Sequence, residues 1–292
     1  MPGAARFLLA GLLLGWGVAC ADPGAALSRG LLWRIERPGG APSHVFGTIH
    51  SADPRVKALS SAAEQVLDNS RSFTLEIQLD DVARQVFADA MFLDRGDLRG
   101  LIGEDGFQEA ARRMQAAGIP PEVTNQLKPW AVLISLVVPD EAGGVILDHE
   151  LLHRAMQQRK PVYQLETVME QIALFDDIPL DIQVLLLSDA LRRFDVLAGF
   201  SHRTLEAWLA QDLVGIWSAS TALMEGAGPA ARHQEYFIRR VINGRSVIMA
   251  HRMQARLREG NAFFAVGALH LYGEQGVLSL LEKEGFRVTP MD

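Results

Sequence analysis

Val45-Phe46-Gly47-Thr48-Ile49-His50 and its counterpart Ala265-Val266-Gly267-Ala268-Leu269-His270 decide the fold of this chain. Each is a short apolar run, typical of a buried strand, followed by Gly, two small or apolar residues and a histidine. A strand that ends in this way presents an imidazole at the edge of a sheet, where clefts form in open α/β folds. We therefore expect these histidines, from opposite ends of the chain, to share one cleft.

Length, composition and charge favour a globular protein and argue against a nucleic-acid partner. The 292 residues are 49% hydrophobic and 22% charged. That composition provides a sizeable core in one or at most two domains. With 28 basic and 35 acidic residues the net charge is −7, and no basic stripe occurs. We therefore expect no binding to nucleic acid.

Residues 1–21 predict a secretory signal peptide, which leaves 22–292 as a single domain. Arg6 precedes an apolar run over residues 7–16, and small residues follow it. The run is too short to span a bilayer as a helix, and no second apolar run is long enough. The sequence therefore predicts a bacterial envelope protein of the periplasm, without a transmembrane span in the mature chain.

The end of this leader contains two alternative processing sites. Ala19-Cys20-Ala21 predicts cleavage before Asp22, which is the preferred interpretation, whereas Gly17-Val18-Ala19-Cys20 resembles a bacterial lipoprotein box. The second site gives the mature chain a lipid anchor at Cys20. Because this is the only cysteine, processing at either site leaves the mature fold without a disulfide.

The remaining pattern predicts an α/β (α+β) fold with a small mixed sheet and a large helical insertion. The strands are predicted at 31–36, 44–49, 72–77, 161–166, 263–266 and 286–289. Helices are predicted at 54–67, 82–92, 104–117, 130–138, 145–158 and 274–284, and as a series between 167 and 257. The first two strands read as a hairpin, and the segment 44–77 as a β-α-β crossover, which favours parallel strands.

His50, His270 and Glu76 are the leading candidate site. Two imidazoles and a carboxylate suit a divalent ion such as Zn, Mn, Co or Fe, with positions left open for water and substrate. Such an ion lowers the pKa of its bound water and polarises a carbonyl group. The alternative is that each histidine only packs or caps, because Gly-x-x-His is a short pattern.

His149-Glu150-Leu151-Leu152-His153 is a literal H-E-x-x-H on a predicted helix. The spacing places both imidazoles on one helical face, with the glutamate as base, as in zinc peptidases. Glu166 and Glu170 are the nearest downstream candidates for a third ligand. The preferred alternative is an exposed polar face whose core side is formed by Leu147, Leu151, Leu152 and Ala155.

Glu166 and Arg245 are supporting candidates. Glu166 ends a strand, where it either orients a histidine or holds an arginine, or else caps the helix beginning at Thr167. Arg245 begins a helix, where a cation is unfavourable for the helix dipole. That position indicates a partner carboxylate or a substrate anion, and the alternative is a surface arginine.

The sequence resembles the TraB/PrgY/GumN family, which includes the Tiki proteins of animals. The resemblance covers nearly the whole mature chain. It is carried by Phe46-Gly47-Thr48-Ile49-His50, Thr74-Leu75-Glu76, Lys128-Pro129-Trp130, Pro161-Val162-Tyr163-Gln164-Leu165-Glu166-Thr167 with Glu170-Gln171, Gly244-Arg245 with Met249-Ala250, Ala265-Val266-Gly267-Ala268-Leu269-His270-Leu271-Tyr272-Gly273, and Gly285-Phe286-Arg287-Val288.

The resemblance implies one domain of the erythromycin-esterase-like and Tiki-like kind, with His50, Glu76 and His270 as the active site. Tiki-like members are metal-dependent proteases, so it also implies a divalent ion (Mn, Co or Zn), with Arg245 and Glu166 in support. The family usually has Arg-Asn where this chain has Arg245-Ser246, and it does not ordinarily carry H-E-x-x-H.

The prediction is therefore a metal-dependent hydrolase of the envelope that acts on a peptide or another small extracytoplasmic substrate. Three alternatives stay open. They are a zinc peptidase using His149 and His153, a non-catalytic protein that sequesters a peptide signal, and a structural envelope factor with a vestigial cleft.

Overall fold

The computed structural model describes residues 27–51, 53–137, 146–222 and 229–291. The predicted leader at 1–21, including Cys20, lies outside the described residues. Within them, no helix is long and apolar enough to cross a membrane.

Six strands form one mixed sheet, which confirms the α/β (α+β) prediction. The strands are β1 Leu32–Glu36, β2 Ser43–Thr48, β3 Ser72–Leu75, β4 Val162–Gln164, β5 Ala262–Gly267 and β6 Arg287–Met291. Their order across the sheet is β4-β3-β5-β2-β1-β6. Both ends of the chain and a segment from its middle therefore build the sheet, as the sequence predicted.

Helices fill most of the chain between β2 and β5. They are α1 Pro54–Lys57, α2 Ser61–Asn69, α3 Asp81–Ala90, α4 Leu98–Ala116, α5 Pro121–Thr124, α6 Pro129–Val137, α7 Leu147–Gln157, α8 Val168–Asp176, α9 Leu180–Arg192, α10 Phe194–Leu209, α11 Leu213–Ala222, α12 Pro229–Ile238, α13 Arg245–Glu259 and α14 Val277–Lys283. A π-helical turn, Arg239–Gly244, joins α12 to α13, and a 3-10 turn, Ala268–His270, follows β5.

Four neighbouring strands run parallel, and this determines where their ends meet. β2 pairs with β5 in the register Thr48↔Gly267, and Leu75 of β3 pairs with Ala265 of β5 and with Gln164 of β4. The carboxyl ends of all four strands therefore lie along one edge. The predicted crossover is parallel, but β5 lies between β2 and β3, so these two strands do not pair.

The predicted hairpin is present as the antiparallel pair β1–β2, and β6 pairs antiparallel with the other side of β1. Strands β2 and β5 are buried almost throughout, as expected for parallel strands covered by helices on both faces. One hydrophobic cluster surrounds the sheet, and a second lies among α4, α6 and α9, around Phe107, Trp130 and Leu187.

Capping residues and one glycine determine where two predicted helices begin. The helix predicted at 54–67 is divided, since the Ser60 side chain accepts a hydrogen bond from the Ala63 N–H and begins α2. Helix α4 has an additional turn from Leu98, which Asp97 caps by accepting from the Gly100 N–H, and Gly103, at φ 77° and ψ 169°, kinks it before Glu104. The helix predicted at 104–117 is the part that follows this kink. Within the helical series predicted between 167 and 257, residues 239–244 form the π-helical turn that leads into α13.

Candidate functional site

The candidate residues follow the carboxyl ends of the four parallel strands. Glu76 comes directly after β3, His50 and Glu166 come two residues after β2 and β4, and His270 ends the turn after β5. In open α/β sheets this edge is where ligands bind. The sheet therefore positions these four side chains along one edge, although they come from distant parts of the chain.

The glycine of each Gly-x-x-His has a separate structural role. A Cβ on Gly47 would lie 2.8 Å from Leu271 Cδ1 and 3.0 Å from Ala268 Cβ, so the segment after β5 requires glycine here. Gly267 contributes its backbone instead, because its N–H donates to Glu76 Oε1 at 2.6 Å. The two glycines thus bring the second histidine segment against both β2 and Glu76.

Arg245 lies at the centre of the site and joins two carboxylates. Its Nη2 donates to Glu76 Oε2 at 2.6 Å and to Glu166 Oε2 at 2.7 Å. Its Nε also donates to both oxygens of Glu166, at 3.0 and 3.1 Å. The three side chains are only 12%, 11% and 4% exposed for Arg245, Glu76 and Glu166. They form a buried, charge-assisted network.

The tautomer of His270 follows from its neighbours. Ser246 Oγ lies 2.9 Å from the Ile242 carbonyl oxygen and 3.0 Å from His270 Nδ1. The single hydroxyl proton is donated to Ile242, which can only accept, so the protonated Nδ1 of the imidazole donates to Ser246. His270 Nε2 then carries the lone pair and accepts from Arg245 Nη1 at 3.3 Å.

Burial and the Arg245 charge set the protonation states in this network. Burial alone raises the pKa of Glu76, but the charges of Arg245, His270 and His50, with the Gly267 N–H, lower it to about 2. Burial lowers the pKa of His270 to about 4, and Arg245 contributes in the same direction. Near neutral pH the site thus contains an ionised Glu76 and a neutral His270.

His50 is the exposed member of the site. Its side chain is 60% exposed, and its Nδ1 lies 4.0 Å from Asp148 Oδ2. Asp148 is buried at the start of α7, where its Oδ1 accepts from the Thr48 hydroxyl at 2.7 Å. Its Oδ2 is buried without a hydrogen-bond partner. This carboxylate therefore has one free buried oxygen, near the imidazole of His50.

The alternatives for Glu166 and Arg245 are answered by their contacts. Glu166 holds Arg245 and accepts from Gln171. Helix α8 is capped instead by the reciprocal bonds of Thr167 and Glu170. Arg245 is accordingly neither a surface arginine nor a free anion-binding group, because partner carboxylates occupy it.

The H-E-x-x-H residues lie on the exposed side of α7. His149, Glu150 and His153 are exposed, whereas Leu147, Leu151 and Ala155 pack into the core and Leu152 is half-buried. The proposed third ligands are engaged elsewhere, Glu166 by Arg245 and Glu170 by Arg252. The exposed polar face is thus the arrangement observed.

A metal ion held by His50, Glu76 and His270 does not fit the arrangement of these side chains. Arg245 occupies both Glu76 Oε2 and the lone pair of His270 Nε2, so an ion would have to displace the guanidinium from both. In the part of the chain that the structure describes, no group of three or more His, Cys, Asp or Glu is arranged to hold an ion.

Sequence reasoning assigned no role to Asp148, and it noted Ser246 only as a departure from the family pattern. Asp148 directly precedes the H-E-x-x-H, and a single aspartate that belongs to no motif gave no reason to select it. Ser246 stands where the resemblance predicts Asn. In this chain the hydroxyl makes the hydrogen bond that orients His270, so the departure leaves the imidazole fixed.

Comparisons with known proteins agree on one family. The sequence profile of the TraB/PrgY/gumN family matches residues 31–290. The uncharacterized protein YbaP of Shigella flexneri is 26% identical over 255 residues, which are 85% of this chain and 90% of that protein. YbaP of Escherichia coli K12, also uncharacterized, is 25% identical over the same shares of the two chains. No solved structure matches the chain.

Proposed function

Because this chain belongs to the TraB/PrgY/gumN family, we propose that the site at the edge of its sheet makes it a hydrolase of the bacterial envelope, acting on a peptide bond. One observation carries the proposal: His50, Glu76, Glu166 and His270 follow the ends of four adjacent parallel strands, and Arg245 joins three of them. The pKa values of Glu76 and His270 are both strongly lowered, and groups with strongly shifted pKa values cluster at functional sites.

His50 is the general base in this proposal. It is exposed to solvent and substrate, and histidine is the side chain most often used to take a proton from water. Asp148 Oδ2 faces Nδ1, and a proton on Nδ1 leaves Nε2 to accept the proton of the attacking water. The same Nε2 then returns that proton to the amine nitrogen as the C–N bond breaks. The 4.0 Å separation of Oδ2 and Nδ1 is long for a hydrogen bond, but such contacts often tighten when substrate binds.

In this proposal Arg245 supplies a hydrogen-bond donor for the transition state. Attack of water on a carbonyl develops negative charge on the carbonyl oxygen. The contacts with Glu76, Glu166 and His270 use four of the five guanidinium N–H groups, and the remaining Nη1 N–H is proposed to donate to that oxygen. Glu76, Glu166 and the His270 lone pair hold the guanidinium in one orientation. The neutral His270 thus acts as a positioning residue in this scheme.

The divalent ion (Mn, Co or Zn) stays a prediction. An ion bound by His50, His270 and Glu76 would first have to displace the Arg245 guanidinium from Glu76 and His270, and only then could it activate a water and polarise the carbonyl group. Dialysis against EDTA, followed by separate addition of Mn, Co and Zn, decides the matter. Loss of activity that one ion restores would confirm the ion, and unchanged activity would refute it.

The activity itself is tested with the purified mature chain and a quenched fluorescent peptide library. We expect cleavage by the wild type and a loss of about 10²- to 10⁴-fold in His50→Ala. His202→Ala is the matched control, since that histidine is also exposed but lies on α10, and it should keep the wild-type rate. Equal rates in all three proteins would contradict the proposed base, and peptide binding without turnover would favour a protein that sequesters a peptide.

The envelope location rests on the predicted leader at 1–21. Mass spectrometry of the native N-terminus tests it: a chain beginning at Asp22 supports a periplasmic protein, and a lipid on Cys20 supports an anchored one. An intact Met1 would contradict both.

A further inference from the structure

A groove lies beside the site, between the segment after β3 and the exposed face of α7. Its volume is about 310 Å³, at the lower end of the range for small-ligand sites. The wall from the first segment begins at Ile77, next to Glu76, and the wall from α7 begins at His149, next to Asp148. Both walls therefore begin at residues that directly follow members of the proposed site, Glu76 and Asp148.

The chemistry of the lining favours an apolar occupant. Ile77, Leu79, Leu152 and Met156 line the groove, and Met156 is among the most exposed large apolar side chains of the described residues.

The two charged lining residues are already engaged. Asp80 caps α3 by accepting from the Ala83 N–H at 2.8 Å, and Arg84 donates to the Leu79 carbonyl and to Asp81. The groove therefore offers mainly apolar surface: Arg84 is paired with Asp81, and one oxygen of Asp80 is turned to the start of α3.

From this, and resting on the proposed hydrolysis, we propose that the groove is a specificity subsite. It holds one large apolar side chain (Leu, Met or Phe) of an extended peptide, one or two residues from the bond that is cleaved. An extended peptide advances about 3.3 Å per residue, so this spacing matches a groove that begins one residue from the site. His149 and His153 form its polar rim, and this role accounts for the H-E-x-x-H that the hydrolysis does not use.

The test uses quenched fluorescent peptides of Ala and Gly in which one position at a time carries Leu, Asp or Lys. For the wild type we expect the best Leu peptide to exceed its Asp and Lys counterparts in kcat/KM by about tenfold or more, the discrimination typical of an apolar pocket. Met156→Trp fills the groove and should bring the kcat/KM values of the Leu, Asp and Lys peptides to within about twofold of one another. Gln157→Trp is the matched control, an exposed neighbour on α7 that does not line the groove, and it should keep the preference.

Met156→Lys provides a second variant, because a lysine at the rim should favour the Asp peptide instead. The proposal is overturned if Leu, Asp and Lys peptides are cleaved equally, or if Met156→Trp and Gln157→Trp behave alike. It is also overturned if His149→Ala abolishes cleavage of every peptide, since the groove would then contain the catalytic groups.

If the wild type cleaves no peptide, the proposed hydrolysis fails, and the subsite is then tested by measuring peptide binding with fluorescence anisotropy. Tighter binding of Leu than Asp peptides, lost only in Met156→Trp, supports it, and equal binding overturns it.

Discussion

Gly47 lies directly against Ala268, so the two Gly-x-x-His segments pack on each other without a side chain between them. A Cβ at position 47 would lie 3.0 Å from Ala268 Cβ and 3.2 Å from its Cα. The close approach brings the turn that carries His270 onto the strand that leads to His50. The Trp208 indole N–H fixes the same strand by donating to the Gly47 carbonyl at 3.0 Å.

Gly47→Ala should therefore destabilise the protein and weaken catalysis together. The added methyl group must push Ala268 and Leu271 away, which costs about 1–3 kcal/mol for overpacking in a core. Urea denaturation measures the loss. Gly106→Ala is the control, because a Cβ there would meet only the Ile102 side chain at 3.4 Å or more within helix α4. It should be neutral or stabilise by about 0.5–1 kcal/mol, and equal loss in both variants would contradict the argument.

Arg245→Met should lower the free energy of unfolding by about 3–5 kcal/mol, because it leaves Glu76 and Glu166 buried without their cation. Arg154→Met is a matched comparison. Arg154 also joins two carboxylates, Glu64 and Asp68, but these lie in solvent, so the loss should be only about 0–1 kcal/mol. Chemical denaturation of both variants at neutral pH checks the difference, and similar losses would show that the Arg245 network is not effectively buried.

Stability should fall as the pH drops from 6.5 towards 4, partly because of His44. Burial, with the Arg34 charge, lowers the pKa of His44 from 6.5 to about 4. Between pH 6.5 and 4, His44 binds a proton in the unfolded chain but not in the folded chain. The free energy of unfolding therefore decreases by at most about 1.4 kcal/mol for each unit by which the pH falls. Denaturation of His44→Leu at pH 7 and pH 4.5 should show a smaller decrease than the wild type. His202→Leu, at an exposed position, should show none of this relief.

His149→Ala separates the proposed site from a zinc peptidase built on H-E-x-x-H. An exposed histidine that only borders the groove should change stability by no more than about 0.5 kcal/mol. Its kcat for a good peptide should stay near the wild-type value, with the change confined to KM. Initial rates over a range of peptide concentrations give both constants. A loss as large as that of His50→Ala would establish the zinc-peptidase alternative.

Local patterns predicted the strands and the residues at their ends. A Gly-x-x-His after an apolar run, or a carboxylate after a β-branched and aromatic run, can be recognised from about six consecutive residues. In the structure His50, Glu76, Glu166 and His270 follow strands as expected. The sequence did not reveal that β5 lies between β2 and β3. Strand pairing is a non-local property: β5 pairs with residues about 190 to 220 positions earlier in the chain, and a local pattern does not specify such partners.

The contacts of Arg245 were equally beyond local reasoning. Its position at the start of α13 indicated a partner carboxylate, but Glu76 is 169 residues away and Glu166 is 79 residues away. Asp148 was overlooked because the rotation of α7 about its axis decides which side faces the sheet. That rotation buries Asp148 beside Thr48 and leaves the more conspicuous His149 in solvent.

The position of β5 has a consequence for the order in which the molecule becomes competent. The strand begins at residue 262 of 292 and is the piece that joins the early strands, β2 on one side and β3 on the other. Until it is inserted, those strands have no common neighbour, and neither the Gly267 N–H nor the His270 imidazole can reach Glu76. A nascent or truncated chain that ends before residue 262 would contain most of the sequence, but its Glu76 would lack these two contacts and the site would not be assembled.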